Sequence, residues 1–451
     1  MVQAGHSIYT YDRRMKTYST NSYENPRNSP IYYKVREFNK HPDHLKESGL
    51  YFFMRKIQSS SGSRITVGGQ EMLMFGSNNY LGMTTHPKVK AAANRAIEKY
   101  GLGAGAARLL GGTFSLHEEL EQRLAAFEST ESAIIFSSGY VSNLATISAF
   151  LSKKEDIAII DSGIHASLVD GLRFGQVPFR VFDHNDMEDL ERKLLACQND
   201  GNLIIIIDGV YSMDGDIANL SEVYRLARKH KALIMIDEAH GTGVLGKHGK
   251  GTTEHFGLHG QIDIVMGTLS KALGGIGGFA AGTEDLVEYL KHSARGFVFS
   301  AALPPATCAA LITALDVIEE EPEWRIRLHE NANLMRKGLQ QLGFDTGLSC
   351  TPIIPVIVGD DLTAYQLTRA LHAQNIYVSP VTFPGVKKGT SRLRLGVMAT
   401  HTTEEILQAL NAFERAKKMI PEQSLERILT PPPPDSFKES IPDADLVQKV
   451  A

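Results

Sequence analysis

The chain reads Gly267-Thr268-Leu269-Ser270-Lys271-Ala272-Leu273-Gly274-Gly275 directly after an apolar run, Ile262 to Met266, that is typical of a buried strand. Lys271 is therefore predicted to lie just past the carboxyl end of a strand, between two hydroxyl side chains and a glycine pair. Burial disfavours a charged ammonium group, so a lysine in this place has a lowered pKa and can act as a Schiff-base nucleophile. The hydroxyls of Thr268 and Ser270 suit a phosphate. The alternative for this stretch alone is an exposed loop lysine.

A second buried strand is predicted upstream, from Ala232 to Ile236, and it is followed by Asp237-Glu238-Ala239-His240-Gly241. An aspartate at a strand end, with a histidine three residues later, can pair with the protonated nitrogen of a pyridine ring. A site for pyridoxal 5'-phosphate (PLP) needs a lysine, an acid for the ring nitrogen and a phosphate cradle. A lone Asp-x-x-His pattern is usually structural. Asp237, His240 and Lys271 at the ends of successive strands favour the coenzyme site.

Strand patterns alternate with helical patterns through this part of the chain, which predicts an α/β fold with a mostly parallel sheet covered on both faces. Ligands bind such a sheet outside the carboxyl ends of its strands. Ser138-Gly139-Tyr140 opens a predicted helix, and the backbone N–H groups at its start form an anion site that we assign to the cofactor phosphate. The candidate residues at this edge are Gly139, His165, Ser212, Asp237 and Lys271.

Changes in composition divide the chain into four predicted parts. Residues 1–60 form an N-terminal extension and arm, in which residues 32–57 are expected to be an amphipathic helix. Residues 61–302 form a large coenzyme-binding domain, and residues 303–420 form a smaller C-terminal α+β domain. Residues 421–451 are a polar, proline-rich tail that we expect to be flexible.

The overall composition excludes several kinds of protein. The 451 residues suffice for a large domain plus a smaller one, and a hydrophobic content of 43% is typical of a globular protein. The net charge of -4 argues against nucleic acid as the main partner. Three widely spaced cysteines form neither a metal motif nor a disulfide framework. No apolar run approaches the roughly 18 residues of a membrane span. We expect a cytoplasmic protein without a metal.

Several motifs follow one another in an order that points to one family. They are Asn78 to Gly82, Ser138 to Tyr140, His165 to Ser167, Tyr211 to Asp216, Asp237 to Gly241, Gly267 to Lys271 and Arg392 to Arg394. Together they resemble the α-oxoamine synthases, which are PLP-dependent enzymes of aminotransferase class II and fold type I. The likeness extends from about residue 45 to residue 418. It implies the PLP-dependent transferase fold, with a large domain and a smaller C-terminal one.

The resemblance implies a role for each residue of the coenzyme site. Lys271 would hold PLP covalently, and Asp237 would keep the pyridine nitrogen protonated so that the ring accepts electrons. His165 would stack on the ring and reach the substrate carboxylate. The residues expected to hold the ring oxygen or the phosphate are His240, Ser212, Thr268, Ser270 and the amides of Gly139 and Tyr140.

The resemblance also assigns residues to the substrate and to a second copy of the chain. Arg394 would grip the amino-acid carboxylate, for which its planar fork is suited, and Asn78 would line the substrate side. Arg392 and His184 are expected to serve structure. Ser300 lies in a segment, residues 299–304, that resembles the one reaching the partner subunit's phosphate. A homodimer with shared active sites is therefore implied.

The implied reaction is a decarboxylative Claisen condensation of an amino acid with an acyl thioester, delivered by CoA or a carrier protein, which yields a 2-amino ketone and CO2. Residues 184–187, 379–381 and 398–402 look most like the bacterial serine palmitoyltransferase type. That likeness favours serine as the substrate, a 3-oxo-sphinganine-like product and a role in sphingolipid biosynthesis.

Two departures from that type keep other substrates open. The glycine loop, residues 103–108, has alanines where many members have serines and more glycines, and the loop of residues 382–389 lacks the usual proline-rich form. A synthase using glycine or alanine with a short-chain or carrier-bound acyl thioester is the first alternative. A non-catalytic partner subunit is the second. Lys271, Asp237 and His165 argue against it, because such subunits lose the lysine.

Overall fold

The computed structural model describes residues 29–151 and 154–419. The predicted flexible tail and nearly half of the predicted N-terminal extension lie outside these residues. The strands are β1 (Arg64–Val67), β2 (Gln70–Met74), β3 (Ser132–Phe136), β4 (Asp156–Asp161), β5 (Phe179–Phe182), β6 (Asn202–Asp208), β7 (Leu233–Asp237), β8 (Ile264–Thr268), β9 (Gly278–Gly282), β10 (Ile353–Gly359), β11 (Ile376–Tyr377), β12 (Ser379–Val381) and β13 (Ser391–Gly396).

The helices surround two sheet systems. They are α1 (Pro30–Glu47), α2 (Pro87–Tyr100), α3 (Ser115–Glu128), α4 (Gly139–Phe150), α5 (Ala166–Gly175), α6 (Met187–Cys197), α7 (Leu220–His230), α8 (Thr252–His255), α9 (Glu284–Ser293), α10 (Arg295–Val298), α11 (Pro305–Glu320), α12 (Glu323–Gln341), α13 (Asp361–His372) and α14 (Thr403–Lys418), with a 3₁₀ turn at Met83–Thr85. Among the described residues, none of these helices is long and apolar enough to cross a lipid bilayer.

A seven-stranded sheet forms the centre, in the order β3-β9-β8-β7-β6-β4-β5. The neighbours from β5 to β8 pair in parallel, whereas β9 runs antiparallel to both β3 and β8. Strand β6 shows why the sheet is central, because the β-branched run Ile204 to Ile207 is buried on both of its faces. The predicted mostly parallel sheet is confirmed.

The carboxyl ends of β6 and β7 are level, and the neighbouring β8 continues two residues further, to Thr268. Asp208, the last residue of β6, lies directly opposite Asp237, the last residue of β7. Asp237 in turn lies opposite Met266 of β8. The segments that leave these strands therefore start from one edge of the sheet, which is where a doubly covered sheet binds its ligands.

A second core lies among the C-terminal elements. The antiparallel sheet β10-β13-β12 packs against α12, α13 and α14 through buried side chains that include Val356, Leu395 and Phe413. Leu73 and Phe75 belong to the same core, and β2 pairs in parallel with β11. The N-terminal hairpin thus contributes to the smaller core, and β13 presents Arg392 and Arg394 to the larger one.

The N-terminal helix is shorter than predicted. It begins at Pro30 and ends at Glu47, and Gly49 then adopts a left-handed φ of 67°. Glycine adopts this conformation without the steric cost that a side chain brings, so the chain turns here. Leu50 and Phe52 follow as an irregular segment and pack on Tyr365. The apolar cluster after residue 49 therefore serves tertiary packing and does not extend a helical face.

Candidate active site

Lys271 and His240 meet at the edge of the central sheet where β7 and β8 end. The Lys271 Nζ lies 2.9 Å from the His240 Nε2. Burial, followed by the nearby Arg394 cation, lowers the pKa of Lys271 to about 8, against the opposing pull of Asp237. Burial and the Lys271 charge also hold the pKa of His240 well below its usual range. The histidine is therefore neutral at neutral pH, and a fraction of the lysine is present as the free amine.

Asp237 is buried and fixed by two donors. Its Oδ1 accepts a hydrogen bond from the Ala239 backbone N–H at 2.8 Å, and its Oδ2 accepts one from the Asn143 Nδ2 at 2.6 Å. Asn143 also donates to the Ser167 Oγ at 2.9 Å, and that oxygen lies 2.7 Å from the His165 Nδ1. Asp237 and His165 are thus held in one network.

Sequence reasoning missed Asn143. It lies on α4, four residues after Gly139 and so on the same side of that helix, one turn further along. That spacing from the predicted phosphate site is the signal that could have found it. Asp208 was also given no role. Its Oδ1 accepts a hydrogen bond from the His165 N–H at 3.2 Å, and burial, then the nearby Asp237 charge, raises its pKa well above the usual range.

The predicted phosphate residues form one cradle between β8 and α4. The Thr268 Oγ1 and Ser270 Oγ lie 2.9 Å apart. A Cβ on residue 139 would lie 2.9 Å from the Thr268 Oγ1, closer than real Cβ contacts, so only glycine lets the helix start approach the strand. The free N–H groups at the start of α4, from Gly139 and Tyr140, complete an anion site with the two hydroxyls.

The substrate-side residues also converge. Arg394 donates from Nε to the Ser212 carbonyl oxygen at 2.5 Å and from Nη1 to the Asn78 Oδ1 at 2.9 Å. Its Nη2 lies 3.5 Å from the Tyr80 Oη. Arg392 turns instead to the Asp214 carboxylate, at 2.6 Å, and to the Met213 carbonyl oxygen. The two arginines of the motif therefore have different surroundings.

Two residues lie apart from this cluster. Ser300 follows α10 and lines a small cavity with Arg108 and Ser137. His184 bridges two carboxylates, with its Nδ1 2.8 Å from the Asp161 Oδ1 and its Nε2 3.0 Å from the Asp216 Oδ2. It thereby ties the segment after β5 to the end of β4 and to the loop after β6.

The residues present fit PLP. A cradle of hydroxyl and amide donors suits a phosphate, and it exists only because position 139 has no Cβ. The buried Asp237 carboxylate ends β7, and Lys271, whose pKa is lowered, follows the neighbouring strand β8. This donor set is the one that binds a phosphorylated pyridine aldehyde. Among residues 29–151 and 154–419, no group of three His, Cys, Asp or Glu side chains is placed to hold a metal ion.

Comparison with known proteins gives concordant results. The model of the family described as aminotransferase class I and II matches residues 70–413. An 8-amino-7-oxononanoate synthase from Thermoanaerobacter pseudethanolicus is 44% identical over 379 residues, covering 84% of this chain and 96% of that protein. The 8-amino-7-oxononanoate synthase 1 of Bacillus subtilis is 43% identical over 374 residues, covering 83% of this chain and 95% of that protein. A solved serine palmitoyltransferase with PLP as an internal aldimine is 35% identical, with a TM-score of 0.84, covering 87% and 99%.

Proposed function

The chain belongs to the α-oxoamine synthases of aminotransferase class I and II and is a PLP-dependent, acyltransferase-type enzyme, and from this premise we propose that it joins alanine to a dicarboxylic acyl thioester with loss of CO2. The family's substrates are an amino acid and an acyl thioester. Because the chain is an enzyme, the alternative of a non-catalytic partner subunit is wrong.

One observation carries the proposal that an α-amino acid is the substrate. Arg394 and Lys271 stand at the two ends of one hydrogen-bonded chain that passes through Tyr80 and His240. A guanidinium that can bind a carboxylate thus faces the amine that holds the coenzyme. An α-amino acid carries its carboxylate and its amine on one carbon, so it matches this pair of groups.

The choice of alanine follows from the product named for the relatives. 8-Amino-7-oxononanoate is a nine-carbon acid with an amine on carbon 8 and a ketone on carbon 7. A decarboxylative condensation takes carbons 8 and 9 from the amino acid and carbon 7 from the acyl carbonyl group. An amino acid with a methyl side chain and a seven-carbon dicarboxylic acyl group give that product.

Each residue of the site has a separate role in the proposed reaction. Bound PLP supplies an electron sink for the charge left on the substrate α-carbon. Lys271 takes the α-proton, because a pKa of about 8 leaves free amine at neutral pH and still makes it an effective base. Arg394 and Asn78 hold the substrate carboxylate. Asp237, fixed by Asn143, keeps the proton on the pyridine nitrogen.

Serine with a long acyl chain is the second candidate. Solved serine palmitoyltransferases superpose with a TM-score of 0.84, whereas a solved 8-amino-7-oxononanoate synthase from Francisella tularensis gives 0.67 at 28% identity. The sequence relatives do not support the predicted preference for serine and a palmitoyl chain, since they are 8-amino-7-oxononanoate synthases at higher identity.

The test is a substrate panel on the purified, PLP-loaded enzyme. Alanine, serine and glycine are titrated while the visible spectrum is recorded, and the best amino acid is then combined with acyl-CoAs of several lengths, with and without a distal carboxylate. We expect the largest response with alanine and release of CO2 with the dicarboxylic thioester. A long-chain serine product would establish the second candidate instead. No spectral response to any amino acid would contradict both.

We also propose that two copies share their active sites, with Ser300 reaching the phosphate of the partner. Apolar side chains beside it support this arrangement, since Phe299 and Leu110 are 74% and 85% exposed. The segments that carry them are joined by a bridge between Ala107 and Ala301. Sedimentation should show a dimer, and a stable, active monomer would refute the proposal.

A further inference from the structure

Tyr80 connects the carboxylate clamp to the coenzyme lysine. Its side chain is only 1% exposed. Its Oη lies 2.7 Å from the His240 Nδ1, 3.3 Å from the Asn78 Oδ1 and 3.5 Å from the Arg394 Nη2. Its backbone is fixed as well, because its carbonyl oxygen accepts a hydrogen bond from the Ala399 N–H at 2.7 Å. The hydroxyl is therefore held where three functional side chains meet.

The partners of this hydroxyl allow two complete arrangements of hydrogens. In the first, the Lys271 ammonium donates to the His240 Nε2, the Nδ1–H donates to the Tyr80 oxygen, and the Tyr80 O–H donates to the Asn78 Oδ1. In the second, the Tyr80 O–H donates to the His240 Nδ1, and the Nε2–H donates to the neutral Lys271 amine. Only a group that both donates and accepts can serve in both arrangements, and a tyrosine hydroxyl does.

The two arrangements differ by one proton, the one lost from Lys271. The hydrogens of His240 and Tyr80 are only redistributed. A neutral imidazole carries its proton on one nitrogen, and the partner of the other nitrogen decides which one. His240 is neutral because burial and the Lys271 cation hold its pKa well below the usual range. Its tautomer is therefore linked to the charge of Lys271.

We propose that Tyr80 is a positioning residue whose hydroxyl lets the proton of His240 change nitrogens when Lys271 changes charge, and so couples the charge of Lys271 to the carboxylate clamp at Arg394. The coupling to the clamp runs through the Asn78 Oδ1, which accepts from Arg394 and can also accept from Tyr80. When Arg394 binds a substrate carboxylate, its hydrogen bond to the Asn78 Oδ1 changes, and so does the ability of that oxygen to accept a hydrogen bond from Tyr80. The inference rests on the PLP chemistry of the family and not on which amino acid is used.

Other charged groups also lie near Lys271 and influence its charge. They are Asp237 and Asp208 at the strand ends, Arg394 on β13 and, through its own interaction with Lys271, His165 before α5. None of them contacts the Tyr80 hydroxyl except Arg394. A change confined to that hydroxyl therefore tests the coupling with these charges left in place.

The first experiment reads the tautomer of His240 directly. The full chain, freed of coenzyme and labelled with ¹⁵N-histidine, is titrated through the pH range in which Lys271 loses its proton, and the His240 signals are assigned with the His240→Gln variant. We expect the proton on Nδ1 at the acid end and on Nε2 at the alkaline end. A single His240 tautomer throughout the titration would overturn the proposal, and this readout requires no turnover.

The second experiment removes the hydroxyl. Tyr80→Phe keeps the ring, and Tyr365→Phe is the control, because that buried tyrosine packs with Leu50 and Phe52, and its hydroxyl has a 3.3 Å contact with Thr382 among the described residues. We expect Tyr80→Phe to abolish the tautomer switch and to lower kcat about tenfold per coenzyme-loaded site, with the control unchanged. A retained switch, or an unchanged kcat per loaded site, would overturn the proposal. If Tyr80→Phe does not fold, the wild-type titration decides alone.

Discussion

Lys271 is reactive because of what surrounds it. The side chain leaves a strand end into a half-buried place, where its nearest contact is a neutral histidine nitrogen and not a carboxylate. An ammonium group in such surroundings loses hydration without gaining a close counter-ion, and its pKa falls to about 8. Burial first, and then the Arg394 cation, thus lower the pKa of the lysine that we propose holds the coenzyme.

Replacing Lys271 with alanine should abolish turnover and leave the fold intact. The variant removes the amine that we propose holds the coenzyme and takes the α-proton. His240 loses its contact with that amine but keeps the one with the Tyr80 hydroxyl. Steady-state activity and the melting temperature, measured on the same preparation, check both parts. Full activity in Lys271→Ala would remove this residue from the mechanism.

Asn143→Ala should weaken coenzyme binding about tenfold or more. The amide donates to the Asp237 carboxylate, and a hydrogen bond to a charged group contributes about 1.5–3 kcal/mol. The readout is the dissociation constant of PLP from the visible spectrum. Asn202→Ala is a matched control, since that exposed amide donates to the Asp156 carboxylate on the same sheet. Equal affinities in the two variants would contradict the role of Asn143.

At the scale of single elements, the start of α4 matters for its distance from β8. The helix begins at Gly139, which lies against Thr268 with no space for a Cβ. The fold therefore places the N–H groups of a helix start beside the two hydroxyls of a strand end. This contact between two elements, more than any one side chain, makes the phosphate cradle.

Gly139→Ala should reduce the affinity for PLP and for inorganic phosphate at least tenfold. The added methyl group pushes the helix start away from Thr268 and separates the amide donors from the hydroxyls. Gly111→Ala is the control, because a Cβ there meets nothing within 4 Å. Competition by phosphate in a coenzyme-binding assay gives the comparison. An unaltered phosphate constant in Gly139→Ala would mean that the anion binds elsewhere.

His184 joins the end of β4 to the loop after β6 and makes stability depend on pH. Burial alone would lower its pKa, but hydrogen bonds with Asp161 and Asp216 raise it to about 10. Because the folded-state pKa lies above the ordinary value of 6.5, the stabilisation by the charged ring is complete below about pH 6.5. It is lost as the pH rises towards about 10.

The stability advantage of the wild type over His184→Gln should therefore shrink between about pH 6.5 and pH 10. Urea midpoints at several pH values measure it. His292→Gln serves as the control, since that histidine is two-thirds exposed and pairs with an exposed glutamate. A difference that stays constant over the whole range would show that the His184 ring is neutral in the folded protein.

Elements with strong local patterns could be predicted from the sequence, and those decided by distant contacts could not. The apolar runs before Asp208, Asp237 and Thr268 predicted buried strands, and the structure contains them. Strand β9 consists of small residues around one phenylalanine, and its antiparallel direction depends on β3 and β8. So short a run shows no hydrophobic periodicity from which the strand could be predicted.

For the whole molecule, the limit of sequence reasoning is separation along the chain. Tyr80 and His240 are 160 residues apart, and Asn78 and Arg394 are 316 apart. The strand-end rule predicted which residues share an edge of the sheet, but not which side chains bond to each other. The substrate is harder to predict from the sequence than these contacts, because no single motif determines it. We propose that the large domain ends, and the smaller C-terminal domain begins, at about residue 302.

Arg392 joins the smaller sheet to the loop after β6, so its loss should affect the whole molecule. The side chain is nearly buried and donates to the Met213 carbonyl oxygen and to Asp214. A third bond runs from the Arg392 Nε to the Thr390 carbonyl oxygen at 3.1 Å. Arg392→Lys has no second nitrogen for that bond and should lower the free energy of unfolding by about 1–3 kcal/mol. Arg225→Lys, at an exposed pair with Glu222, should change it by less than about 0.5 kcal/mol. Equal effects in urea unfolding would refute the link.

The register of β6, β7 and β8 has a consequence for how this enzyme can evolve. Asp208, Asp237 and Met266 stand in register, and successive side chains of a strand point to opposite faces. A deletion of one residue within β7 would turn the Asp237 carboxylate away from the coenzyme, because a slip of one position exchanges the faces. Insertions and deletions beyond the strand ends leave this register unchanged. New substrates are therefore accessible through changes of loop length, whereas the lengths of these three strands are fixed by the chemistry.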